Sequence, residues 1–277
     1  MKNILFVASE CVPFIKTGGL ADVIGSLPNE FDSQNYDVRV ILPLYSCIPW
    51  EYRNRFQYMQ HFYLSLSSSV KDKYVGVFNY YYNRINYYFI DNQEYFTCDH
   101  PSGSTEWDIE RFAFFDKAVL SCLPLLDFQP DIIHCNDWQT GLIPVYLKEE
   151  FSKGPFYQKM KTILTIHNLK FQGVWSIDHV KAVTGLPDYL FTPDKLAFYQ
   201  NASLLKGGLV FADYITTVSK TYAQEIQTEQ FGEGLHGLLF HRRLDMLGIL
   251  NGIDYRLFNP HKDLSIQFPY EVSNFRT

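Results

Sequence analysis

The chain has 277 residues, with 24 lysines and arginines against 30 aspartates and glutamates, for a net charge of −6. That balance, with no basic stripe, argues against nucleic acid or an anionic membrane surface as a partner, and no apolar run reaches the ~18 residues of a spanning helix. A hydrophobic share of 47% is enough for one large α/β domain or two small ones, and five cysteines without paired spacing or a leader segment point to reduced thiols in a cytoplasm.

Residues 4–8 form an unbroken apolar run, the pattern of a strand buried on both faces of a parallel sheet. Helical spacing starts at Leu20, with Asp22 near the positive end of the helix dipole. Between the two, Gly18-Gly19 allows a tight turn in which a ligand can approach the amides at the helix start, and Lys16 adds a mobile cation. Spacing alone leaves two readings open, an anion site at the carboxyl edge of a sheet or a glycine-rich turn with a solvated lysine. The turn is neither a Walker A loop nor Gly-x-Gly-x-x-Gly. The second strand, 38–42, ends without an acid to hold a ribose, which argues against nicotinamide binding.

Residues 58–64, 74–82 and 87–90 read as short β segments, an antiparallel excursion inserted into the parallel sheet. Aromatic residues reach 17% of the chain; such rings either stack on sugar or pack core and hairpin. Residues 92–108 are polar and read as a mobile loop, and 110–126 as a helix with Phe112, Phe115, Val119, Leu123 and Leu126 on its apolar side. Strand 131–135 ends at Asp137, which could orient a sugar hydroxyl or hold a loop; a helix follows to about 150. Strand 161–166 ends at His167-Asn168, facing a cleft if the topology is doubly wound. A lone histidine of this kind is often only a satisfied polar residue. Next come a helix over 194–211, a strand over 214–218, a helix from the N-cap Ser219 to 226, a glycine-rich turn over 231–238, and a strand from 247 running into Asn251-Gly252.

The string Lys16-Thr17-Gly18-Gly19-Leu20-Ala21-Asp22-Val23 resembles the signature of bacterial glycogen synthases and plant starch synthases, the retaining ADP-glucose glucosyltransferases. The likeness continues through Glu110-Arg111-Phe112-Ala113-Phe114-Phe115, Thr165-Ile166-His167-Asn168-Leu169 with Gln172-Gly173, Asn201 through Asp213, and Ile249-Leu250-Asn251-Gly252-Ile253-Asp254. It covers about residues 3–260. Two departures stand out: Gln139 follows Trp138 where the family has a histidine, and Ser102 precedes Gly103 where it has a donor-contacting tyrosine, the nearest aromatics being Tyr95, Phe96 and Trp107.

The fold expected is α/β, a doubly wound, mostly parallel Rossmann-like sheet with an antiparallel insertion, which the resemblance makes the amino-terminal half of a GT-B glycosyltransferase. Residues 1–255 would form that domain and 256–277 a connector toward a second domain absent from this chain. The resemblance implies extension of α-1,4-glucan with glucose from ADP-glucose, a substrate and not a cofactor, with no metal. It makes Lys16 and His167 the candidate catalytic residues. Gly18, Gly19, Asp22, Asp137, Asn168 and Asn251 are the candidate substrate contacts, with His167 at the sugar 6-hydroxyl, partly through its main-chain carbonyl. The alternatives are a non-catalytic glucan- or nucleotide-sugar-binding module and a related transferase using UDP-glucose. The chain alone is expected to be nearly inactive.

Overall fold

A computed structural model describes residues 1–97, 105–255, 257–271 and 273. The first apolar run forms β1 (Lys2–Val7), then α1 (Gly19–Ser26), β2 (Tyr36–Pro43) and the short α2 (Trp50–Arg53). Three long strands follow, β3 (Gln57–Leu64), β4 (Lys73–Tyr82) and β5 (Ile85–Asp91), then α3 (Gln93–Phe96), α4 (Glu106–Cys122), β6 (Ile132–Asn136), α5 (Leu142–Tyr146) and β7 (Lys161–Ile166). The remaining elements are β8 (Val174–Ser176), α6 (Ile177–Thr184), β9 (Ala197–Phe198), β10 (Asn201–Ser203), α7 (Leu204–Phe211), β11 (Tyr214–Thr217), α8 (Lys220–Glu225), α9 (His236–His241) and β12 (Met246–Gly248).

The main sheet has nine strands in the order β12-β11-β7-β6-β1-β2-β5-β4-β3. From β12 to β5 every neighbour is parallel, and β4 and β3 extend it antiparallel at the far edge. The antiparallel insertion expected in the parallel sheet is anchored by β5, which pairs parallel with β2 and antiparallel with β4. β1 is central, Ile4 pairing with Val38 on one side and Ile132 on the other. The chain runs outward from β1 to β2, crosses to the edge at β3 and returns through β4 to β5, then restarts at β6 on the other side of β1 and runs outward the other way. That reversal opens a crevice at the carboxyl ends of β1 and β6. Leu5 and Val7 are fully buried, as a central parallel strand requires.

Many of the aromatic rings are spent on packing. Phe14 meets Tyr52, Phe56, Tyr80, Tyr82, Tyr87 and Phe89 edge-on at 4.9–6.2 Å, an arrangement that adds to the area buried. Gly141 and Gly208 let α5 and α7 cross closely: a β-carbon on Gly208 would stand 2.8 Å from the Gly141 carbonyl oxygen. Among the described residues no helix is long and apolar enough to cross a membrane.

Three expectations are corrected. The polar loop over 92–108 contains α3, capped by Asn92, and ends at Thr105, where α4 begins four residues early through a capping box with Asp108. Residues 98–104, including Ser102 and Gly103, lie outside the described residues. Tyr95 and Phe96 are buried against Phe114. The helix over 194–211 begins only at Leu204. Asn201-Ala202-Ser203 instead pairs with β8 and β9 in a small sheet, and the Ser203 hydroxyl caps α7 by accepting from the Lys206 amide at 3.1 Å. The helix to about 150 ends as an α-helix at Tyr146 and continues as a wider π turn over Leu147–Phe151.

Candidate active site

The crevice beside β1 and β6 is a cleft of about 670 Å³. The turn after β1 and the start of α1 contribute Ser9, Glu10, Thr17, Gly18, Gly19 and Leu20; the segment after β6 contributes Asp137, Trp138 and Gln139; the segment after β7 contributes His167, Asn168 and Phe171; Val218 and Asn251 close it beyond β11 and β12. Six of the eight residues singled out in the sequence therefore meet: Gly18, Gly19, Asp137, His167, Asn168 and Asn251. Lys16 and Asp22 do not line it. They form an ion pair at 2.7 Å, and Asp22 borders a smaller hollow of about 180 Å³ that shares Gly19 and Asn251 with the cleft.

Asp137 stitches the ends of β6 and β7 together. Its backbone sits at φ +57°, a conformation that costs a non-glycine residue about 1–3 kcal/mol. The surroundings hold it there: its amide donates to the Thr165 carbonyl at 2.9 Å, and its Oδ1 accepts from the amides of His167 at 2.7 Å and Asn168 at 3.4 Å. Burial, opposed by those two amides and reinforced by the charge of Glu10, pushes its carboxyl up to about 7.

The side chain of Asn136 fixes the tautomer of His167. Its amide nitrogen donates to the carbonyls of Val7 at 3.0 Å and His134 at 3.1 Å, so its oxygen, 3.0 Å from His167 Nε2, accepts. The neutral ring then carries its proton on Nε2 and leaves Nδ1 as an acceptor. Burial pushes His167 down to about 4. Behind it, burial and the His167 ring push His134 down to about 3; His134 Nε2 lies 2.5 Å from the Thr165 hydroxyl. Both rings are uncharged at neutral pH. His167 is suited to hydrogen bonding a hydroxyl and unsuited to acting as a cation.

Trp138 is a fixed part of the wall. Its ring lies between Phe112, edge-on at 5.2 Å, and Gly173, where an added β-carbon would come within 2.3 Å of it. Gly173 has φ +59°, so both space and backbone call for glycine there.

Glu10 has no assigned role in the sequence reading. Its Oε2 accepts from the amide of Thr17, from the Thr17 hydroxyl at 2.6 Å and from the amide of Gly18 at 3.2 Å. The only signal for it was its place directly after a buried strand. The cleft lining therefore carries two carboxylates and, among the described residues, no lysine or arginine. Nor, among those residues, do three or more His, Cys, Asp or Glu side chains cluster to hold a metal ion.

Residues 3–241 match the model of the starch synthase catalytic domain. The chain is 58% identical to the glycogen synthase of Lachnospira eligens, over the whole of this chain and 57% of that protein. It is 48% identical to the glycogen synthase of Anoxybacillus flavithermus, over 98% of this chain and 55% of that one. In structure it is similar to the catalytic domain of starch synthase IV from Arabidopsis thaliana bound to ADP and acarbose, with a TM-score of 0.86 at 28% identity over 97% of this chain and 55% of that one. The chain thus spans somewhat over half the length of these relatives. With its parallel sheet, its cleft at the strand reversal and a match over residues 3–241, the chain belongs to the starch synthase catalytic domain family.

Proposed function

We propose that this chain forms one wall of a retaining glucosyltransferase that extends an α-1,4-glucan with glucose from ADP-glucose. The observation that carries the reading is the convergence of the Gly18-Gly19 turn with Asp137, His167 and Asn168 in one cleft at the strand reversal. Membership of the family supports the transferase, and the ADP and acarbose bound to a structural relative support the nucleotide and the glucan respectively.

In this reading the diphosphate of the donor lies at the start of α1, near the Gly18-Gly19 turn. The glucose lies against β6 and β7, where the neutral His167 and its carbonyl take the 6-hydroxyl, and Asn251 borders the sugar. Asp137 positions the His167 and Asn168 amides. Breaking the anomeric carbon–phosphate bond leaves positive character on the sugar ring and negative charge on the departing ADP, which preorganised cations and amides stabilise best in a dry site. Lys16 is the nearest candidate cation once it leaves Asp22. ADP-glucose enters as a substrate, and no metal or separate cofactor is invoked. We assign 1–255 to the domain and 256–277 to a connector toward a carboxyl-terminal domain that would complete the cleft; exposed Leu250, Ile253 and Tyr255 suit such a junction. The free, buried thiols of Cys11, Cys122 and Cys135 support a reducing cytoplasm.

One observation favours a second reading, a non-catalytic nucleotide-sugar- or glucan-binding module: no lysine or arginine lines the cleft among the described residues. Calorimetric titration with ADP-glucose, UDP-glucose and maltoheptaose separates the readings. The donor reading expects ADP-glucose to bind more tightly than UDP-glucose. Binding of maltoheptaose with no nucleotide sugar would select the module, and preference for UDP-glucose would select the related transferase.

A further inference from the structure

Glu10 is the carboxylate of the cleft to which the proposed reaction gives no task. It is 5% exposed, and among the described residues no lysine, arginine or histidine pairs with it. Lys16, six residues on, is engaged by Asp22. A buried carboxylate without a counter-charge needs N–H and O–H donors in place of water. Here the donors are the turn itself: the amides of Thr17 and Gly18 and the Thr17 hydroxyl all point at Oε2. The other oxygen, Oε1, stands 3.5 Å from where a β-carbon on Gly18 would sit. The carboxylate thus holds, from the inside, the amides that lead into α1 and that a diphosphate would seek.

We infer that Glu10 is an internal anion that competes with the ligand's diphosphate for the Thr17 and Gly18 amides and so limits how tightly nucleoside diphosphates are held. The inference rests on reading the cleft as a nucleotide-sugar site. Its consequence is a site that lets go of a diphosphate product easily. The negative charge of Glu10 repels the product's own, and the amides always have a partner to return to, so release leaves no buried donor unpaired.

The test is calorimetric titration of the chain and of two variants with ADP, adenosine and inorganic pyrophosphate. Glu10→Gln keeps an oxygen acceptor for the turn and removes the charge; Thr17→Val removes only the hydroxyl that ties the carboxylate down. The expected result is ADP and pyrophosphate binding tightened about tenfold in E10Q and by a smaller factor in T17V, a gain that shrinks at high salt. Adenosine, which brings no phosphate, should bind all three proteins equally. Unchanged or weaker ADP binding in both variants would overturn the competition and make Glu10 a scaffold of the turn. If E10Q does not fold, T17V decides by the same criterion. If no protein takes up ADP or pyrophosphate, the nucleotide reading of the cleft falls together with the inference; native binding without tightening in the variants removes the inference alone.

Discussion

At the scale of single residues, Asp137 and His167 are tied by the His167 amide yet moved in opposite directions by the same burial. An ordinary aspartate ionises near 3.9 and an ordinary histidine near 6.5. Asp137 is raised to about 7. The stability it contributes is therefore fully present below about 4 and is lost as pH rises through about 7. His167 and His134 are lowered to about 4 and about 3, so the stability they contribute is present above about 6.5 and is lost as pH falls below it. Between pH 4 and 6.5 the two effects oppose one another. Asp137→Asn keeps an acceptor for the two amides and removes the aspartate's part. Its Tm should exceed that of the native chain at pH 8, by about 1 kcal/mol or more in stability, and should fall more steeply on acidification to pH 5. Melting curves from pH 5 to 8 check this; parallel Tm profiles would show that Asp137 is not displaced from its ordinary range. For Lys16, release from Asp22 toward a bound diphosphate predicts that Lys16→Ala weakens ADP binding about tenfold, whereas a lysine serving only Asp22 would leave the affinity unchanged.

At the scale of elements, what was legible in the sequence follows from how each element is held. The central parallel strand was readable because burial on both faces demands an unbroken apolar run, as over residues 4–8 at β1. His167 and Asn168 were readable as the polar pair at the end of a strand, in a string that resembles the family's. The small sheet of β8, β9 and β10 was not, because strands of two or three residues carry no periodicity and their apolar residues blend into the helix that follows. The contacts of Glu10 were equally hidden: which amides a carboxylate reaches is decided by how the turn folds back, and spacing does not encode it. The Lys16–Asp22 pair likewise spans the turn and follows no helical period. Packing at the cleft wall yields a graded prediction. Gly173→Ala pushes a methyl into the Trp138 ring at a positive φ and should cost more than about 2 kcal/mol. Ser203→Ala, which removes the cap of α7, should cost about 1 kcal/mol. Urea unfolding midpoints rank the two; the reverse order would mean that Trp138 repacks freely and that the wall is not rigid.

At the scale of the whole molecule, the charge pattern and the open shape of the cleft bear on what this chain does by itself. Two carboxylates line it, the described lining has no lysine or arginine, and His134 and His167 are both neutral. A diphosphate entering such a cleft gains amides and at most the one cation of Lys16, and water is not excluded from it. Transfer of labelled glucose from ADP-glucose to glycogen by the 277-residue chain should therefore run far below ~10 s⁻¹, a typical enzyme rate. A rate near that value would place the whole catalytic apparatus within these residues. The assignment of the cleft itself is tested most directly by titrating ADP-glucose into isotope-labelled chain and following the backbone amide resonances. Saturable shifts centred on Gly18, Gly19, His167 and Asn168, with the exposed strand β3 unmoved, are the predicted result; those four amides staying unmoved at saturating ADP-glucose, or shifts confined to other surfaces, would contradict it.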